Sequence, residues 1–188
     1  MRVKSGLVCL GSAMLMSNSA AATAAHHEES KGEAIEAAQA VVIGTDGETI
    51  GTVVLTPTPN GVLIAARIEG LPAGEHGFHL HAKGICDPDA GFKTAGGHFA
   101  PKGHDHGIKE ATGPHAGDMP NQFVGEDGVL EAHVLNTSVT LGEGYNSLND
   151  ADGTALMVHA GADDYLSQPS GAAGSRIACA VLSAPKPE

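Results

Sequence analysis

Residues 34–43, 48–56 and 61–68 are rich in Val, Ile and Thr, and apolar and polar positions partly alternate along them. Successive side chains of a strand point to opposite faces, so this alternation predicts three half-buried β-strands. Between them stand Gly44-Thr45-Asp46-Gly47 and Pro59-Asn60-Gly61, the residue types of tight turns. The three strands are therefore expected to run as an antiparallel meander. Further strands are expected over 77–81, 129–135, 139–141, 155–159 and 177–182. No segment carries a sustained helical repeat with caps at both ends. With 26 Gly, 10 Pro and no Trp, the composition also suits a turn-rich all-β domain, a sandwich or a closed barrel. Residues 83–128 and 161–175 lack strand pattern and are long. Long loops without structure of their own are commonly functional, and the first of these holds four of the 11 histidines.

The start of the chain has a different pattern. Met1, Arg2, Val3 and Lys4 precede an uncharged, mostly apolar and small-residue stretch over 6–25. That is the layout of a secretory leader, with small residues offering cleavage after Ala22, Ala24 or Ala25. Ser12, Ser17, Asn18 and Ser19 make the stretch too weak for a membrane anchor. The expected organisation is a cleaved signal peptide over 1–25, a mobile polar segment over 26–33 and one domain over 34–188, exported to the periplasm or beyond. The formal net charge is −12, and the leader holds two of the cations and no acid, so its loss leaves a still more acidic chain. Such a protein is a poor partner for nucleic acid or an anionic membrane. Cys9 leaves with the leader, and export permits a disulfide between the remaining Cys86 and Cys179. That bridge would close a loop of about 90 residues, worth ~4–5 kcal/mol in the chain-entropy account.

The chain has 11 histidines, and their positions carry more than their number. His79 and His81 lie two apart in a predicted strand, so both rings leave the same face and can hold one ion. His98 follows Gly96-Gly97, then come His104 and His106, His115 and Asp118, and finally His159 at the end of a distant strand. Four imidazoles suit copper, and three imidazoles with a carboxylate suit tetrahedral zinc. One ion cannot use the whole set, whereas two ions sharing one imidazole can.

In these blocks the chain resembles the bacterial, exported branch of the copper/zinc superoxide dismutases. The resemblance rests on Gly77-Phe78-His79-Leu80-His81 with Gly84 and Cys86, on Gly96-Gly97-His98-Phe99-Ala100-Pro101, and on Gly113-Pro114-His115-Ala116-Gly117-Asp118-Met119-Pro120-Asn121. It continues through Met157-Val158-His159, Asp163-Asp164, Gln168-Pro169-Ser170-Gly171 and Gly174-Ser175-Arg176-Ile177-Ala178-Cys179. It covers the chain from Ile35 onward and implies an eight-stranded antiparallel Greek-key β-barrel or sandwich with two long functional loops. It also implies one copper and one zinc per subunit and an enzyme that converts superoxide to oxygen and hydrogen peroxide. Copper would be held by His79, His81, His98 and His159, and zinc by His98, His106, His115 and Asp118, with His98 as the shared imidazole. His106 is preferred to its neighbour His104 because its spacing of eight from His98 and the following Gly107 match the family pattern. Asp163 would be the carboxylate that bonds one histidine of each metal, Arg176 the arginine that attracts and orients the anion, and Cys86–Cys179 the family's disulfide.

Ala100 and Ala172 stand where many relatives have Asn, and neither is an expected ligand. His26, His27, His76, His104 and His133 are expected to be surface or structural residues. Other readings on the same fold are a non-catalytic copper-binding or copper-delivery protein, a copper-only enzyme, and a sandwich that binds zinc adventitiously. The complete copper set argues against the first, and His106, His115 and Asp118 argue against the second. Both a monomer and a homodimer are compatible with the sequence.

Overall fold

The meander expected from the alternation of residues 34–68 forms as Ala38–Gly44 (β1), Thr49–Thr58 (β2) and Gly61–Ile68 (β3) in the computed structural model, which describes residues 36–187. The expected leader, His26 and His27 lie outside the described residues. The remaining strands are Gly74–His81 (β4), Asp118–Val124 (β5), Leu130–Asn136 (β6), Thr154–His159 (β7) and Arg176–Ser183 (β8). All neighbouring pairs are antiparallel, and the order β1-β2-β3-β6-β5-β4-β7-β8 closes on itself. The chain leaves β3 and returns across the barrel to β4, between β5 and β7, which is the Greek-key crossover. Among the described strands, closure leaves no sheet edge open to another chain.

Two sequence expectations are corrected. Residues 139–141 form no strand: Val139 and Leu141 are buried in the main core, but Thr140 makes only an isolated bridge to Ser147. Val139 and Leu141 belong to a loop packed against the main core. Conversely, β5 lies inside the stretch read as strandless. Asp118, Pro120 and Asn121 disguise it, since Pro has no N–H to give a ladder. Its pairing is correspondingly uneven, with only Val124 opposite Leu130 on the β6 side.

The barrel interior is filled by Val53, Leu55, Ile64, Ile68, Phe78, Leu80, Leu130, Leu156 and Val158 among others. A second, smaller core lies outside the barrel wall. There Ala155, Met157 and Cys179, which alternate with the inward residues of β7 and β8, meet Phe92 and Ala95 of the first long loop. The loop turns over this patch in a short 3-10 helix, Lys93–Ala95, and the Cys86–Cys179 disulfide fastens it to β8. Because loops cover their outer faces, β7 is buried at every position and β4 from His76 to His81. Buried residues on the outer face of β4 and β7 are where the histidines stand.

Candidate metal centre

Strand register brings the site together. In β4, Phe78 and Leu80 point into the barrel, so His79 and His81 share the outward face. His79 pairs with Asp118 of β5, and His159 pairs with Arg176 of β8. An isolated bridge sets His81 opposite His98 of the first loop. Directly paired residues have neighbouring side chains on one face. Three pairings thus convert residues up to 97 apart in sequence, His79 and Arg176, into one cluster.

Two groups result. One ligating atom from each of His79, His81, His98 and His159 lies within 4.8 Å of the others, and the same holds for His98, His106, His115 and Asp118. His98 belongs to both. Its ring centroid is 4.1 Å from that of His79 and 5.0 Å from that of His81 on one side, and 5.1 Å from His106 and 5.5 Å from His115 on the other.

The hydrogen bonds fix which nitrogen each ring turns inward. His81 Nδ1 donates to Gly96 O at 3.0 Å, and His159 Nδ1 donates to Gly174 O at 3.4 Å. His79 Nε2 donates to Asp163 Oδ2 at 2.8 Å, and His106 Nε2 donates to Asp163 Oδ1 at 3.0 Å. These acceptors can only accept, so the opposite nitrogen of each ring carries a lone pair. Those opposite atoms, His79 Nδ1, His81 Nε2, His159 Nε2 and His106 Nδ1, together with His98 Nε2, are buried and have no hydrogen-bond partner. Buried polar atoms are seldom left so. Converging lone pairs without donors fit a cation between them.

Asp118 organises the second group. Its Oδ2 accepts from Gly107 N at 2.9 Å and His115 N at 3.0 Å, while Oδ1 faces His98 Nδ1 at 2.8 Å and His115 Nδ1 at 3.2 Å. His106 Nδ1 lies 3.1 Å from Asp118 Oδ2 without hydrogen-bond geometry, so the two atoms converge on a common point. Burial would raise the Asp118 carboxyl, but bonds from His115, His98 and the Gly107 amide outweigh it and hold it ionised far below the usual range. For Asp163, burial is outweighed by His79, the Tyr165 amide and His106, leaving a pKa of about 2. Burial lowers His98 to about 4 and His159 to about 3, with His79 adding to the effect in both. His81 moves the same way for the same reason, burial first and then His98. Neutral rings and ionised carboxylates are the forms that bind divalent metal.

A cleft opens onto the first group between Gly97, His98, His115, His159, Pro169, Ser170, Gly174 and Arg176. Arg176 is the one formally charged side chain in that lining. It donates to Phe92 O at 2.6 Å and Gly96 O at 2.5 Å, which holds the guanidinium at the mouth. Burial lowers its pKa, yet an arginine stays cationic at any physiological pH. Lys109 instead lies over the Tyr165 ring and donates to Asp164 O, outside this lining.

Every residue in the expected ligand set lies in one of the two groups. His104 does not: it is exposed and its Nδ1 contacts Pro114 O, whereas the neighbouring His106 is fully buried. His133 is exposed, but His76 is buried between His159 O and Pro72 O at 2.7 and 2.8 Å. Sequence reading gave no role to Asn121, whose amide brackets the backbone of Asp163, accepting from its N–H and donating to its C=O, each at 2.9 Å. Nor did it find Tyr165, whose hydroxyl accepts from Asn121 N at 2.7 Å. Both side chains hydrogen-bond main chain, and no spacing rule announces such bonds.

Comparison with known proteins adds an independent line. Residues 49–182 match the family model described as copper/zinc superoxide dismutase (SODC). The chain is 50% identical to copper-zinc superoxide dismutase 2 of Aquifex aeolicus (strain VF5) over 147 residues, 77% of this chain and 85% of that one. Among solved structures, a SOD-like protein from Bacillus subtilis superposes with a TM-score of 0.73 at 35% identity, over 77% of this chain and 97% of that one. The Cu/Zn superoxide dismutase from Brucella abortus gives 0.64 at 28% identity, over 78% and 99%. With a family match spanning most of its length and a ligand group for each of two ions, the chain belongs to the copper/zinc superoxide dismutases.

Proposed function

We propose that the chain dismutates superoxide to oxygen and hydrogen peroxide, with copper held by His79, His81, His98 and His159 and zinc by His98, His106, His115 and Asp118. The observation that carries this reading is the membership of His98 in both groups, one ring nitrogen turned toward each. When bound, copper supplies one-electron exchange with the substrate, and zinc, with its filled d shell, supplies charge and order.

The protein's own residues do the rest. Arg176 sets a fixed cation at the mouth of a cleft with no acid in its lining, which favours entry of a small anion into an otherwise acidic molecule. His98 Nε2, the ring atom facing the first group, is the place for the proton that peroxide formation requires. Asp163 holds His79 and His106 in their ligating tautomers and links the two groups through one carboxylate. The basic start and apolar stretch of residues 1–25, with a disulfide in the domain, support export to the periplasm after cleavage of the leader.

Metal analysis coupled to a superoxide-consumption assay on the processed protein tests the proposal. One copper and one zinc per chain with rapid, cyanide-sensitive consumption is the expected result. Full loading of both metals with no consumption above that of the metal-free protein would leave a copper carrier in place of an enzyme.

A further inference from the structure

His106 stands in the middle of the first long loop, where no strand partner holds it. Among the described residues, no main-chain group bonds its N–H or C=O. Both are taken by one side chain from the other long loop. Gln168 Oε1 accepts from His106 N at 2.9 Å, and Gln168 Nε2 donates to His106 O at 2.8 Å and to Leu166 O at 3.2 Å. The primary amide thus replaces a neighbouring strand for one residue, giving and taking one hydrogen bond across a sequence distance of 62. Asn121 does the same to Asp163. The two bracketed residues are the pair joined by the His106 Nε2 to Asp163 Oδ1 bond, so each end of that link is held by its own amide.

We infer that Gln168 is a positioning residue for the second metal group: it fixes the backbone of His106 and thereby the direction of His106 Nδ1. This rests on the proposed assignment of that group to zinc. His106 itself is fully buried, while Gln168 lies at the surface. Its amide closes over the loop from the solvent side. Replacing it opens no cavity in either core, so a variant keeps the fold and loses only the bracket. The first group lacks this dependence, since His79 and His81 stand on β4, His98 is bridged to β4 and His159 ends β7.

The test uses the processed, disulfide-intact protein with Gln168→Leu, of similar bulk and without the amide, and Gln168→Glu, which keeps the acceptor but turns a carboxylate oxygen to His106 O. Zinc affinity is measured by chelator competition at neutral pH, and Co(II) is placed in the zinc group to record its visible d–d bands. In both variants zinc affinity is expected to fall about five-fold or more and the Co(II) bands to change in intensity, with copper affinity moving less than two-fold. Zinc affinity within two-fold of the parent and an unchanged Co(II) spectrum would overturn the role of Gln168. Equal losses for both metals, with a matching drop in the melting temperature of the metal-free protein, would also overturn it, because that is general loosening. Absence of a tetrahedral Co(II) spectrum in the parent protein would instead strike the zinc assignment itself.

Discussion

Gly171 packs its backbone directly on the bond that joins the two ligand groups. A Cβ there would stand 1.7 Å from Asp163 Oδ1 and 2.7 Å from His106 Nε2, and its φ of +68° adds left-handed strain for any side chain. Gly171→Ala must therefore push Asp163 off His106. Zinc retention is expected to drop at least ten-fold by chelator competition, and retention equal to the parent would show that the carboxylate can move without consequence. Arg176 is the second residue on which much depends. With the mouth's one formal cation removed, Arg176→Ala should lower the superoxide rate roughly ten-fold and flatten its dependence on ionic strength, measured by pulse radiolysis or stopped flow. An unchanged rate at low salt would remove steering from its account. Ala172 shows the converse, a residue outside the chemistry whose backbone sits at φ 53°, a left-handed conformation that Asn tolerates better than Ala.

The first long loop is held to the barrel by a small apolar patch and one covalent bond. Phe92 and Ala95 rest on Met157, Ala155 and Cys179, and the Cys86–Cys179 bridge spans 93 residues. Replacing both cysteines by serine should cost about 3–5 kcal/mol of unfolding free energy in urea, measured without metals. It should also weaken the anchoring of Gly96, whose carbonyl accepts from both His81 and Arg176. An unaltered urea midpoint would mean that the apolar patch and the hydrogen bonds from Arg176 hold the loop without the bridge. The same element explains what the sequence could and could not convey. The meander was legible because alternation of Val, Ile and Thr marks a half-buried face, β4 because Phe78 and Leu80 alternate with His79 and His81, and β7 and β8 because each is a short, mostly apolar run. β5 was not, because Asp118 and Asn121 answer to the site and Pro120 has no N–H to give the ladder, so three positions in seven break the strand pattern. The ligand groups were readable through family spacing, which separated His106 from His104. The amide brackets of Asn121 and Gln168 were not readable, since their partners are main-chain atoms 42 and 62 residues away.

Over the whole molecule, burying many rings together makes the metal-free fold sensitive to acid. His98 and His159 have folded pKa values of about 4 and about 3, below the unfolded value of 6.5. Well above pH 6.5 the rings are neutral in both states and contribute no pH dependence. As pH falls below 6.5 the unfolded chain takes up protons that the folded rings refuse, so stability declines until the folded values are reached. Asp163, at about 2 against 3.8, stabilises the fold above pH 3.8 and loses that contribution as pH falls toward 2. Urea midpoints of the metal-free, disulfide-intact protein should therefore fall steadily from pH 7 to pH 4, by an amount equivalent to a few kcal/mol. Midpoints that stay level between pH 7 and pH 5 would contradict neutral buried rings.

The last strand has a bearing on synthesis. β8 closes the barrel against β1, sets Arg176 beside His159 and brings Cys179 over to Cys86. All seven residues of the two ligand groups precede β8, so a chain that stops before Arg176 keeps every donor atom but lacks the strand that pairs with His159 and closes the barrel. A stop codon just before Arg176 should therefore yield a product with an open barrel, no disulfide and no cation at the cleft mouth.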